Sequence, residues 1–364
     1  MSSGSEAAAP AAEVPKGQLA AGAKGLLWSA LRILVPILLA LLVSAAALLL
    51  LGKDPLQYYG YVVERGLFNR IGLEQTIIRM APLLLIAAGL IVAFQAGIWN
   101  LGGDGQFLLA AVITAALGPA LIGILPRSLT LVACMLAGAV VGGLWSVIPA
   151  LLKARYGVNE IITSLMMSFL GTSFANVLIK IPFADPSTTV PQTRTLPVDD
   201  RLPRLFGTAV HSGILVALVV VLLVHLMMTR TAFGLKLQVV GANPRAAVHA
   251  GLDVARLTIA TFAISAGLIG LGGAVEILGV WGTVRADWNP AYGMLVVPLV
   301  FLARFNGIAV IGFTFFFAML LVGAESASRR VGVPQHYVLV LVALVLLFLA
   351  LVEYIGQRWP RQKG

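Results

Sequence analysis

The sequence predicts an all-α, polytopic helical membrane protein with eight to ten transmembrane segments. Composition, run length and periodicity carry that prediction. The 364-residue chain is 59% hydrophobic and only 11% charged, whereas a soluble globular protein carries about 25% charged residues. Its mean hydropathy is +0.97. Apolar runs long enough to cross a bilayer recur along the whole chain. They are continuous, without the two-residue alternation of a transmembrane barrel.

The elements follow in order. Residues 1–25, rich in Ala, Gly, Ser, Pro and charge, read as a disordered cytoplasmic tail. One membrane domain follows over 26–357, and residues 358–364 form a second cytoplasmic tail. Apolar length places segments near 28–52, 76–98, 105–125, 128–152, 161–181, 212–228, 257–280, 294–303, 307–324 and 337–355. The first run is too long for a signal-peptide core and lacks a small-residue cleavage site, so it reads as a retained span. Residues 53–75 mix apolar and charged side chains and suit a short helix at the outer interface. Met294–Ala303 is too short to cross alone. It is a half-helix, a re-entrant piece or part of the next span. The proline-rich stretch 182–211 reads as an irregular external loop, and 229–256 as a cytoplasmic one.

The net charge of +10 reads as span-flanking basic residues, with no nucleic-acid motif present. Lys153, Arg155, Arg230, Lys236, Arg245 and Arg256 fall on the inner side of this arrangement. Arg194, Arg201, Arg204, Arg329 and Arg330 fall opposite, so the charge asymmetry is small. Cys134 has no cysteine partner, and His211, His225, His249 and His336 are dispersed, so no metal site is expected. No nucleophile–base constellation marks a catalytic site. The runs "AGAVVGG" (137–143) and "SAGLIGLGGA" (265–274) read as close helix packing.

Three stretches carry chemistry. "GIWNLGGDGQFLLAA" (97–111) puts Asn100, Asp104 and Gln106 between apolar runs. An ionisable group at that depth is costly unless it meets water or a partner. Two readings stand. Asp104 caps the helix beginning near Gly105. Alternatively the break lines a solute path, with Asn100, Asp104 and Gln106 meeting polar groups and Phe94 and Trp99 meeting flat or apolar faces. Glu276 is a further path candidate, or it reaches the outer interface. The loop 281–293, with Trp281, Arg285, Asp287, Trp288 and Tyr292, holds interfacial aromatics or a contact surface for an external binding protein.

The second stretch is "TRTAFGLKLQVVGANPRAAVHAGLDVARL" (229–257). Asn243 is an N-cap, Pro244 suits the first helical position, Arg245–Ala250 form a short helix, and Gly251 ends it in the left-handed conformation. Such a helix is a peg for another protein or a plain interfacial connector. The third is "YGVNEIITSLMMSFL" (156–170), where Asn159 and Glu160 open a helix.

In this order the three stretches resemble ABC importer permeases of the nucleoside and simple-sugar type, in the ribose and branched-chain amino acid permease superfamily. "RAAVHAG" is similar to the EAA-x-x-x-G pattern of importer permeases, with Arg245 in place of Glu. Asp104 stands where the family run has Glu, and Gly103 where it often has Val. "NGIAV" (306–310) begins with Asn where the family more often has Asp. The resemblance implies the ABC importer transmembrane-domain fold in a bacterial cytoplasmic (inner) membrane, in contact with lipid. It implies four kinds of partner: an ABC ATPase, a second permease chain, a periplasmic or lipid-anchored solute-binding protein, and a small-molecule substrate. Asn243, Pro244, Arg245, Ala246, Ala247 and Gly251 would form the ATPase-coupling helix, supported by Asn159 and Glu160. No G-x-x-x-x-G-K-[ST] loop occurs, so ATP and Mg would be bound by the partner ATPase and this chain would carry no cofactor. The competing expectation is an ion- or proton-coupled secondary transporter with Asp104 and Glu276 as coupling sites.

Overall fold

A computed structural model describes residues 34–334 and 337–358. The tail read at 1–25, His336 and the tail beyond Arg358 lie outside the described residues. In chain order the helices are α1 (Leu34–Leu50), α2 (Pro55–Val63), α3 (Arg70–Gln95), α4 (Gly103–Leu121), α5 (Arg127–Trp145), α6 (Val147–Tyr156), α7 (Glu160–Lys180), α8 (Gly213–Arg230), α9 (Ala232–Ala242), α10 (Pro244–His249), α11 (Val254–Glu276), α12 (Tyr292–Leu295), α13 (Val297–Leu302), α14 (Ala309–Val331) and α15 (Tyr337–Arg358). Among the described residues there are isolated β-bridges but no sheet. Seven helices there are long and apolar enough to cross a membrane: α3, α4, α5 continued by α6, α7, α8, α11 with its π-helical extension, and α14. The chain is therefore a multi-pass, all-α membrane protein. The described residues fall into two compact units, one holding those up to Leu51 with those from Val340 on, the other lying within Gly52–Leu339. Every site residue lies in the second unit.

The stretch 53–75 resolves into two elements. Asp54 caps α2 by accepting the Leu56 N–H at 2.8 Å, with Pro55 at the first helical position. A π-helical turn over Glu64–Phe68 follows, and Asn69 then caps α3, which begins at Arg70 rather than near 76. Every residue of α3 from Met80 to Ala93 is buried, as expected of a helix that is apolar all round.

At the centre α11 packs against α3, α4 and α5. The two glycine-rich runs meet there. A Cβ on Gly138 would lie 2.7 Å from the Ala274 Cβ, and one on Gly142 would lie 2.9 Å from the Gly270 Cα. Only side-chain-free positions permit that approach. The loop 182–211 folds back on the end of α11, where Thr193 and Leu196 N–H groups donate to Val284 O (3.0 Å) and Gly282 O (2.8 Å). Two interruptions of the helical structure bear on the site. One is 96–102, between α3 and α4. The other is 282–291, between the end of α11 and α12. The apolar piece predicted at 294–303 is the short α12–α13 pair, separate from α14.

Candidate functional site

The break at 96–102 exposes backbone groups that a bilayer cannot satisfy. Neighbouring helices satisfy them. Ser164 Oγ accepts the Leu101 N–H at 3.1 Å, and Ser168 Oγ accepts the Gly105 N–H at 3.2 Å, both from α7. Asn100 and Gln106 form a reciprocal amide pair. Gln106 Nε2 donates to Asn100 Oδ1 at 2.9 Å, and Asn100 Nδ2 donates to Gln106 Oε1 at 3.1 Å and to Ser265 Oγ of α11 at 3.0 Å. Both are 1% exposed. This placement pairs both side chains within the bundle. The paired amides tie the break to the first turn of α4 and, through Ser265, to α11.

Asp104 corrects the capping expectation. Because α4 starts at Gly103, Asp104 falls inside its first turn, and the N-cap Gly102 makes no side-chain cap. The carboxylate instead accepts the Gly293 N–H at 2.7 Å, at the start of α12. The chains close tightly there. A Cβ on Gly293 would lie 2.6 Å from Asp104 N, and one on Gly103 would lie 2.9 Å from Gly293 Cα. The approach to α12 is strained as well, with Asp287 at φ +62° and Ala291 at φ +54°. Such conformations persist only where the surroundings enforce them.

A second tie holds α12. Arg79 of α3 donates to the Tyr292 hydroxyl at 2.7 Å and to Glu325 of α14 at 3.3 Å. Glu276 is buried beside the end of α11, and accepts the Trp281 indole N–H at 3.0 Å. Its other oxygen has no hydrogen-bond partner among the described residues. Burial at 2% exposure corrects the reading that it reaches the interface. Asn176, on α7, accepts the Asp287 N–H at 2.7 Å.

Phe94 and Trp99 sit together, joined by two aromatics that sequence reasoning missed. The Trp99 ring stacks on Phe301 at 5.5 Å, Phe94 lies 5.2 Å from both Trp99 and Phe301, and Phe305 lies 5.3 Å from Phe301. Trp99 remains 39% exposed.

At one end of the bundle lie α9 and α10. Asn243 accepts the Arg245 and Ala246 N–H groups, each at 3.1 Å, and Gly251 has φ +78°. Arg245, Ala246 and Val248 are exposed. Ala247 is fully buried, and so packs α10 against the bundle rather than facing outward. The loop from α6 to α7 is at the same end, since α7 and α8 each cross once between the two. There Asn159 accepts the Ile161 N–H at 2.9 Å, and buried Glu160 pairs with Lys153 at 2.7 Å. Glu160 thus joins α6 to α7. Among the described residues no three His, Cys, Asp or Glu side chains gather into a metal-holding group.

Apolar spans enclosing two broken segments, whose polar ends meet inside the bundle, define a polytopic solute permease. Residues 72–350 match the family described as "Branched-chain amino acid transport system / permease component", and the chain belongs to that family. It is 34% identical over 331 residues to the glucose ABC transporter permease protein TsgB13 of Haloferax volcanii, covering 87% of this chain and 86% of that one. It is 28% identical over 330 residues to the guanosine ABC transporter permease protein NupP of Bacillus subtilis, covering 87% and 93%. It is 25% identical over 341 residues to the nucleoside ABC transporter permease protein NupB of Lactococcus lactis, covering 91% and 93%.

Proposed function

We propose that this chain is the membrane-spanning subunit of an ATP-driven importer that moves nucleosides or simple sugars across a bacterial cytoplasmic membrane. The observation that carries the reading is the meeting of Asp104 with the start of α12 between two interrupted segments. A carboxylate beside a helix N-terminus offers an acceptor and donors to a polyhydroxylated solute. Trp99 and Trp288 supply flat apolar faces on neighbouring segments. The glucose, guanosine and nucleoside permeases among its relatives support those solute classes.

The chain has no phosphate-binding loop, so ATP and Mg belong to a separate ATPase. The exposed face of α10 docks on that ATPase at the cytoplasmic side. A second permease chain completes the pathway, and an external solute-binding protein delivers the solute to the loops 182–211 and 281–293. Nothing is transformed covalently in this subunit.

The test is uptake in proteoliposomes holding the chain, its ATPase and the solute-loaded binding protein. Labelled guanosine and adenosine are compared with labelled glucose and galactose. ATP-dependent uptake of one class, indifferent to a protonophore, is the expected result. Uptake that persists without the ATPase, or collapses with the protonophore at constant ATP, would overturn the reading.

A further inference from the structure

We infer that Gln95 is the positioning residue through which movement of the docking loop reaches the aromatic cluster at the break; the inference rests on the importer reading above. Gln95 is the last residue of α3. Its Nε2 donates to Phe305 O at 2.8 Å, in the loop that closes α13. Its Oε1 accepts from Gln238 Nε2 of α9 at 3.4 Å. Gln238 also donates to Met228 O, in the last turn of α8, at 2.7 Å. One neutral amide thus joins α3, α9 and the α13 loop. An amide is the suitable group, because it offers a donor and an acceptor together.

The backbone beside Gln95 has no slack. Gly97 has φ +69°, and a Cβ there would lie 3.0 Å from Gly241 Cα. A Cβ on Gly241 would lie 2.9 Å from Gly97 N. The end of α9 therefore presses main chain to main chain on the first residues of the break. Phe305, held by Gln95, sits 6.2 Å from Phe94 and 5.3 Å from Phe301, on which Trp99 stacks. A displacement of α9 moves Gly97 by contact and Phe305 through Gln95, and the half-exposed Trp99 is linked to both, two residues after Gly97 and stacked on the Phe301 that Phe305 touches. The long 3.4 Å bond to Gln238 is the separable link in this chain, and the glycine contact is the stiff one.

The test uses the complete complex in proteoliposomes, with Gln95→Met and Gln238→Met. Methionine keeps length and helix propensity but removes both hydrogen-bonding groups. Four quantities are read: ATPase co-purification, basal ATP hydrolysis, solute uptake, and ATP consumed per solute imported. Co-purification and basal hydrolysis should stay unchanged in both variants. Uptake should fall by about tenfold, with ATP per solute rising to match. The double variant should be no worse than the more impaired single one. An unchanged ATP-to-solute ratio in Gln95→Met would overturn the inference, whether uptake is retained or falls together with hydrolysis. Should Gln95→Met not insert, an unchanged ratio in Gln238→Met overturns it equally. A wild-type complex with no ATP-dependent uptake would instead overturn the importer reading beneath it.

Discussion

The Asp104 carboxylate accepts the Gly293 N–H at 2.7 Å, across 189 positions of sequence, so that the first turn of α4 caps the first turn of α12. An N-cap residue ordinarily belongs to the helix it caps. Here the cap comes from a different membrane segment, so one hydrogen bond ties the two segments together. Both backbones are side-chain-free at the contact, through Gly103 and Gly293, which lets the carboxylate reach its donor.

Asp104→Asn separates holding from solute contact. Asparagine keeps an acceptor oxygen, so the cap on α12 survives and the unfolding midpoint in detergent should scarcely move. Asp104→Leu removes the cap and should cost about 0.5–2 kcal/mol. Uptake should fall in both variants, since a carboxylate accepts solute hydroxyls more strongly than an amide does. Wild-type uptake by Asp104→Asn would leave the residue with a holding role alone.

The Asn100–Gln106 pair predicts a stability effect with a signature. Gln106→Leu takes one partner from each Asn100 group, which keep Ser265 Oγ and the Gly102 N–H, and should cost about 0.5–1.5 kcal/mol. The double variant Asn100→Leu with Gln106→Leu should cost less than the two single changes added together, because each single change already removes the bonds the two amides share. Additive costs in a thermal-shift cycle would mean that the two amides are independent.

Particular residues show how far the sequence alone can be read. Asn243, Pro244 and Gly251 announced α10, because capping depends on neighbours in the chain. Asn159 announced α7 in the same way. Asp104 and Glu276 were conspicuous as acids in apolar surroundings, but their partners come from distant segments. The Asp104 cap on Gly293 and the Trp281 bond to Glu276 are facts of packing rather than of pattern. Arg79 was visible as a lone cation in "TIIRMAPLLL", the kind of residue that marks a function at membrane depth. Ser164 and Ser168 were hidden because serines are common in membrane helices, and only the break at 96–102 gives them something to satisfy. The aromatic pair Phe94 and Trp99 gave no hint of Phe301 and Phe305.

Arg79→Met should loosen α12 at its second tie. The variant leaves the Tyr292 hydroxyl and the Glu325 carboxylate without their shared donor. Stability in detergent should fall by roughly 1–3 kcal/mol. Tyr292→Phe in the Arg79→Met background should add little further loss. A large additional loss would show that Tyr292 is held by something other than Arg79.

The docking helix can be disabled locally. Gly251 has φ +78°, which proline cannot adopt, since its ring holds φ near about −65°. Gly251→Pro therefore disrupts the turn that ends α10, and Arg245→Glu reverses an exposed charge at its start. The double variant should insert normally yet lose ATPase in co-purification. Recovery of wild-type amounts of ATPase would refute docking at α10.

His211 gives the protein an acid limit. Its Nδ1 accepts the Gly213 N–H at 3.1 Å, so the ring is neutral with its proton on Nε2, which is buried without a partner among the described residues. Burial pushes the imidazole down to about 4 from its ordinary value of 6.5. The folded protein therefore resists protonation at a site the unfolded chain protonates readily. A depressed folded pKa of this kind gives stability that is complete above pH 6.5 and is lost progressively as pH falls toward 4. His211→Asn offers a neutral acceptor near the Nδ1 position and does not titrate. Wild type should be the more stable of the two above pH 6.5, with the gap closing on acidification. Unfolding midpoints from pH 8 to pH 4.5, measured in one detergent at constant ionic strength, supply the comparison. A gap between wild type and His211→Asn that stays constant across that range would show that His211 is not the titrating group.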